Sequence, residues 1–157
     1  MYFKWVECNV EKAKEEVFST SQSRWGLLSH VSGFVAQFGG WERTNNFLKA
    51  HIFGIWRDRE SYNKFMDDIH DEIFKHTQQY GTYESLEIRF GELEENKKHF
   101  DLESIDRLIV EIRENKAFYQ MYKIGTVVSE GEVFMINDMN NCTLNIELES
   151  VWNVKGI

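Results

Sequence analysis

The chain has 157 residues, 42% hydrophobic and 15% aromatic, enough to fill the core of one ordinary domain without disulfide or metal staples. A formal net charge of −8 opposes the basic surface that nucleic-acid binding relies on, and no apolar run approaches the ~20 residues that cross a bilayer. The start, "MYFKWVECNV", lacks the apolar block and small-residue cleavage site of a signal peptide, so a cytoplasmic protein with no nucleic-acid or membrane partner is expected.

Residues 2–10, "YFKWVECNV", carry apolar groups on both faces of an extended strand: Tyr2, Val6, Cys8 and Val10 on one, Phe3 and Trp5 on the other. Such a strand belongs to a sheet covered on both sides. From Glu11 the apolar period changes to about four, and Val17, Phe18, Ser21, Trp25 and Leu28 form a helical stripe. "FVAQFGGWE" and "KAHIFGIWRD", joined by the polar "ERTNN", predict a β-hairpin over 34–58 with a bulge at Gly39–Gly40. Asp58 is placed to cap a second helix whose buried stripe is Tyr62, Phe65, Met66, Ile69 and Ile73. After the breaker "QQYGTYE", the segment "YESLEIRFGEL" alternates as a strand. The order β-α-β-β-α-β over residues 2–93 is that of the ferredoxin-like split βαβ fold, class α+β.

Beyond "GELEENKKHFD" the texture changes. The one basic cluster, "ENKKH" at 95–99, is preceded by acidic residues. "ESIDRLIVEIREN" fits a helical and a strand period equally, and residues 117–152 read as three strands turning at "SEGE" and "NDMNN". This tail is too short to repeat the first unit, and no internal duplication is visible. Two parts are expected: residues 1–95 as the ferredoxin-like domain and 96–157 as an antiparallel β-rich C-terminal extension. Cys8 and Cys142 sit in no CxxC or zinc spacing and are expected to be reduced, half-buried strand residues.

"MYFKWVECNV", "GFVAQFGGW" and above all "IFGIWRDRESYNKFMDDIHDEIF" give the first ninety-odd residues a resemblance to the dimeric α+β barrel superfamily, which includes antibiotic-biosynthesis monooxygenase-like domains, and within it to an uncharacterised bacterial family. The resemblance implies a homodimer in which two four-stranded sheets face each other, with a small-molecule cavity between each sheet and its helices. It also implies a choice of chemistry: cofactor-independent oxygenation of aromatic substrates, haem degradation, or no catalysis. The haem-degrading branch has an Asn on the first strand and a Trp and a His on the second helix. Here Asn9 stands near the first position, Phe65 replaces the Trp, and His76 lies one residue out of register.

Within "FMDDIHDEIFKH", His70 is one helical turn from Met66 and Phe74, at the edge of the buried stripe. Two readings stand side by side. A neutral imidazole there can accept a proton from a phenol or quinol; equally, it can pack with a ring nitrogen bonded to Asp67, Asp71 or a carbonyl. His70 and His76, six residues apart, point to different sides of a helix, so no metal site is expected. Trp25, Trp41 and Trp56 can stack on a flat ligand or fill the core. Gln37 and Asn9 can donate to a developing oxyanion, and His51, alternating with Phe53 and Ile55, faces the interior or begins its strand in solvent. With Phe65 and His76 these complete the candidate ligand-binding set. No Gly-rich phosphate loop and no Ser or Cys nucleophile signature is present. The expected function is therefore binding of a flat phenolic or quinol-type molecule, with monooxygenase-like turnover through His70 and no cofactor. The alternatives are a non-catalytic ligand-binding or interaction protein, and haem binding through His70 or His76.

Overall fold

The computed structural model describes residues 1–93, 107–114, 125–129, 132–137 and 144–157. The "ENKKH" cluster and Cys142 lie outside the described residues. The elements are β1 (Tyr2–Val10), α1 (Glu15–Ser23), β2 (Phe34–Arg43), β3 (Leu48–Trp56), α2 (Arg59–Asp68), α3 (His70–Thr77), β4 (Ser85–Leu93), β5 (Arg107–Glu114), β6 (Gly125–Ser129), β7 (Glu132–Asn137), β8 (Leu144–Leu148) and β9 (Val154–Lys155). Short 3₁₀ segments at Lys12–Lys14 and Arg24–His30 flank α1. Among the described residues no helix is long and apolar enough to cross a membrane.

The first unit has the ferredoxin-like order β2-β3-β1-β4, with every pair antiparallel. The later strands follow as β6-β7-β5-β8, again antiparallel. Numbered within its own set, each group of four runs second-third-first-fourth across the sheet. The strand pattern is thus repeated without a visible sequence repeat. The two sets meet reciprocally: β4 pairs with β6 at Glu92–Val128 and Leu93–Val127, and β2 pairs with β8 at Gly40–Leu148 and Trp41–Glu147. Because β2 also pairs with β3, the strands close into a ring within one chain, and β9 extends the β8 edge of β2 at Ala36 and Gln37.

Side chains alternate across the strands, so the ring has two faces. Inward lie Phe3, Trp5, Phe38, Phe53 and Ile55, all fully buried. Phe53 stacks on Trp5 and on Phe38 at centroid distances of 5.5 and 5.3 Å. Outward from β1 and β3 lie the residues that meet the helices, in two clusters: one of Tyr2, Leu28, Phe34, Trp56, Tyr62, Phe65 and Ile73, the other around Phe18, Trp41 and Trp152. The Asp58 carboxylate caps α2 by accepting from the Ser61 N–H at 2.7 Å; the Ser61 hydroxyl first, then this N–H and the Arg57 guanidinium, hold its pKa down to about 2.

Four details differ from the sequence reading. The register shift in β2 lies between Phe34 and Ala36, not at Gly39–Gly40. Those two glycines serve close approach instead: a Cβ on Gly40 would sit 1.9 Å from the Glu147 carbonyl oxygen. Val17, assigned to the buried stripe, is exposed: the inner side of α1 is carried by Phe18, Ser21 and Gln22, one position round the helix, and by Leu28 in the 3₁₀ segment that follows. The second helix breaks at Ile69, whose φ of −140° ends α2 and turns its own side chain partly into solvent.

Gly40→Ala is expected to lower stability by roughly 2–3 kcal/mol, because the carbonyl it strikes belongs to the strand that closes the ring. Gly54→Ala, whose Cβ would meet only Trp56 Nε1 at 3.7 Å, serves as the tolerated control in the same thermal melts. Since the ring closes internally, sedimentation is expected to return the mass of one chain. A stable dimer would show that copies associate through the outer surface and not through the sheet edges.

Candidate functional site

A cavity of ≈ 320 Å³ lies between the outer face of β1, β3 and β4 and the cover formed by α2, α3 and the segment Arg24–His30. Its floor is set by strand register. Lys4 stands opposite Gly54 on one side and Phe90 on the other, and Val6 opposite Ile52 and Ile88. Gly54 leaves the floor open over Lys4. Trp25, Trp56, Phe65, His70 and Phe74 supply aromatic walls.

His70 sits in this wall. Its ring lies edge-on to Phe65 at 5.4 Å, stacks on Phe74 at 5.9 Å with planes 6° apart, and is 6.0 Å from Trp25. The break at Ile69 makes this placement possible, since α3 restarts at His70. Nδ1 lies 2.9 Å from Asp71 Oδ1. A proton on Nδ1 donated to that carboxylate leaves Nε2 as an acceptor.

Of the other residues singled out in the sequence, Trp25, Gln37, Trp56 and Phe65 also line the cavity, and Gln37 Nε2 donates to the Trp152 carbonyl at 3.5 Å. Trp41 packs instead against Phe18 and Trp152, at 5.4 and 5.0 Å. Asn9 is at the exposed end of β1, where Nδ2 donates to Ser85 Oγ at 2.8 Å. His76 lines a separate, wider groove of ≈ 580 Å³ with Leu27, His30, Lys64 and Asp68. His51 is fully buried on the inner face. There Trp5 Nε1 donates to His51 Nδ1 at 3.1 Å, which places the ring proton on Nε2, 3.1 Å from Glu42 Oε2. Glu7, held by Lys49 at 2.6 Å and Arg89 at 3.2 Å, completes this inner lattice. Burial alone would raise the Glu7 pKa, but Lys49, His51 and Arg89 outweigh it and hold the carboxyl below its ordinary value.

Among the cavity residues outside the candidate set, three bear on its polar chemistry. Lys4 is the first. Burial lowers its pKa to about 8, and the Cys8 thiol on the same face counters this only in part. Its Nζ lies 5.6 Å from the Tyr62 ring centroid. The Cys8 thiol and the Tyr62 phenol are themselves pushed up to about 12, chiefly by burial, so both stay neutral. The available signal was the gap at Lys4 in the otherwise apolar face Tyr2, Val6, Cys8, Val10. The other two are Gln79 and Gln22, in a relay whose direction is forced. The Trp25 indole can only donate, and does so to Gln79 Oε1 at 2.8 Å; Gln79 Nε2 then donates to Gln22 Oε1 at 2.7 Å. Gln22 Nε2, the last donor, is buried without a partner among the described residues.

The fold and this cavity define a class: a ferredoxin-like α+β protein with a single-chain barrel and a ligand-sized space beneath its helices. The chain belongs to the family described as "Domain of unknown function (DUF4937)", which matches residues 2–90. It is 40% identical over 89 residues to the "Uncharacterized protein YdbC" of Bacillus subtilis (strain 168), covering 56% of this chain and 75% of that relative. Two solved structures share the fold, each named a "putative monooxygenase". For the one from Lactobacillus acidophilus NCFM the TM-score is 0.58 at 9% identity, covering 92% of this chain and 76% of that one. For the one from Fusobacterium nucleatum it is 0.54 at 13% identity, covering 71% of this chain. The match spans about half (51%) of that second protein. At these identities the likeness is one of fold.

Lys4 links the site to stability. The folded amine titrates at about 8 and the unfolded one near its ordinary 10.5, so between these values the unfolded chain binds the extra proton and stability rises with pH. Lys4→Met is therefore expected to melt several degrees higher than the native protein at neutral pH. That advantage should shrink between about 8 and 10.5 in a series of thermal scans. A difference independent of pH would contradict the burial argument.

Proposed function

We propose that the protein binds a flat aromatic small molecule in the cavity beneath its helices and acts on it as a monooxygenase-like enzyme, with His70 as the proton acceptor. The observation that carries this is the setting of His70: an imidazole walled by Trp25, Phe65 and Phe74, with Nδ1 tied to Asp71. A volume of ≈ 320 Å³ lies at the small end of the ~300–1,000 Å³ typical of ligand sites and favours a ligand of a few rings over a haem macrocycle. An anthrone or hydroquinone hydroxyl presented to Nε2 would lose its proton there; for the anthrone, the anion's ring carbon would form a C–O bond with dioxygen, and loss of the remaining C–H proton with cleavage of the O–O bond would leave a quinone carbonyl and release water, the substrate supplying all four electrons. The shared fold with the two monooxygenase-named structures supports the same reading.

Oxygen uptake with a panel of naphthohydroquinones and anthrones tests it. His70→Ala is expected to lower kcat by about 10²-fold, the scale of a general base, while leaving the fold intact. Gly54→Leu, which fills the floor without striking backbone, is expected to abolish binding. Turnover unchanged in His70→Ala removes that residue from the chemistry. Saturable binding without oxygen uptake identifies a non-catalytic binder. In a parallel haemin titration, a saturable Soret shift lost in His70→Ala or His76→Ala would promote the haem reading over this one.

A further inference from the structure

Among the described residues the cavity lining includes no aspartate or glutamate. Its cation, Lys4, has a ring contact with Tyr62 but no hydrogen bond or ion pair, in contrast to Lys49 and Arg89 on the inner face, which share Glu7. Lys4 is half-buried, and an ammonium so placed without a counterion loses part of its hydration, a cost relieved when a bound molecule brings the missing negative charge. Gln22 points the same way independently. It is 2% exposed, lines the same cavity, and ends a relay that leaves its Nε2–H without an acceptor. A buried donor left unmade is equally an unfilled requirement, here for an oxygen.

We propose that the ligand is a flat aromatic anion bearing at least two oxygen acceptors, with its ionised oxygen taken by the Lys4 ammonium and a second oxygen by Gln22 Nε2–H. Hydroxyquinones, acyl phenolates and aromatic enolates belong to this class, and neutral aromatics of the same size do not. The inference rests on the cavity being a site for flat aromatic ligands. It narrows that reading from shape to charge.

The groups facing Lys4 are Cys8 on its own strand, Tyr62 from α2, His70 from α3 and Tyr83 ahead of β4, while Gly54 and Phe90 opposite it carry no charge. Cys8 and Tyr62 are raised to about 12 and Tyr83 is raised by burial, so none of the three gains charge as the amine titrates. His70 keeps its hydrogen bond to Asp71.

The probes are 2-hydroxy-1,4-naphthoquinone, which is ionised at neutral pH, and its uncharged 2-methoxy ether, titrated against the tryptophan fluorescence of the full chain. The anion is expected to bind about tenfold tighter than the ether, the scale of one charge-assisted hydrogen bond. That preference of the anion over the ether should vanish in Lys4→Met, and should fall in the native protein as pH rises through about 8. Gln22→Met should weaken both probes several-fold, since both keep the quinone carbonyls. Equal affinity for the two probes, or a preference that survives Lys4→Met, overturns the inference and leaves the aromatic cavity standing. Saturable binding of neither probe overturns both.

Discussion

Closure of the strand ring is the constraint on which the rest of the structure depends. A four-stranded ferredoxin-like sheet has two edges and one face that its helices do not cover. Exposed edges invite pairing with other chains, and an uncovered apolar face invites association. In this chain β6 takes the edge of β4, β8 and β9 take the edge of β2, and the face carrying Phe3, Trp5, Phe38, Phe53 and Ile55 is buried within one copy. The facing half that the superfamily resemblance assigns to a second subunit is supplied here by β5–β8. Gly39 and Gly40 show how tight that closure is, since neither has room for a Cβ beside its neighbouring strands.

Once the ring is closed, strict alternation divides the chemistry. Consecutive residues of β1 serve different compartments: Trp5 and Glu7 point into a charge lattice with Lys49, His51 and Arg89, while Lys4, Val6 and Cys8 point under the helices. The inner lattice is saturated. Its indole, imidazole and carboxylates are matched donor to acceptor, which is the condition for holding charge in a core at tolerable cost. The outer cavity is unsaturated in the two places where a ligand would act, at Lys4 and at Gln22. Two sets of polar groups one residue apart in sequence thus differ in whether the protein itself completes them.

This division explains what the sequence could reveal. Period-two patterns in "YFKWVECNV" and "YESLEIRFGEL", the turn chemistry of "ERTNN" and the Asp58 cap are local signals, and the ferredoxin-like order follows from them. His70, Trp25, Trp56 and Phe65 were legible as candidates because two apolar helical stripes and one hairpin carry them. The directions of side chains at an irregularity were not legible. Nothing in "DDIHDE" announces that the helix restarts at His70, and Gly33, beside the shift between Phe34 and Ala36, reads in the sequence as the end of the preceding unit. Nor could pairing between distant strands be read. That β5–β8 repeat the order of β1–β4 is a property of who pairs with whom, and "ESIDRLIVEIREN" fits a strand only once β7 and β8 lie on either side of it.

Lys4 shows the limit most sharply. A single charged residue in an apolar strand face is ordinarily assumed to reach out to water along its own methylene stem. Here the escape is narrowed to a half-buried position: Tyr62 of α2 lies across the amine, and the flanking strands offer Gly54 and Phe90 where a carboxylate would otherwise stand. The inner face shows what the same sheet does with a cation it must neutralise, placing Lys49 within 2.6 Å of Glu7. Leaving Lys4 uncompensated on the other face therefore carries a stability cost that a purely structural role does not require, since Met or Leu would fill the position more favourably. That cost falls at the floor of an aromatic cavity whose lining also includes Gln22, so two polar groups that the described residues leave uncompleted share one space.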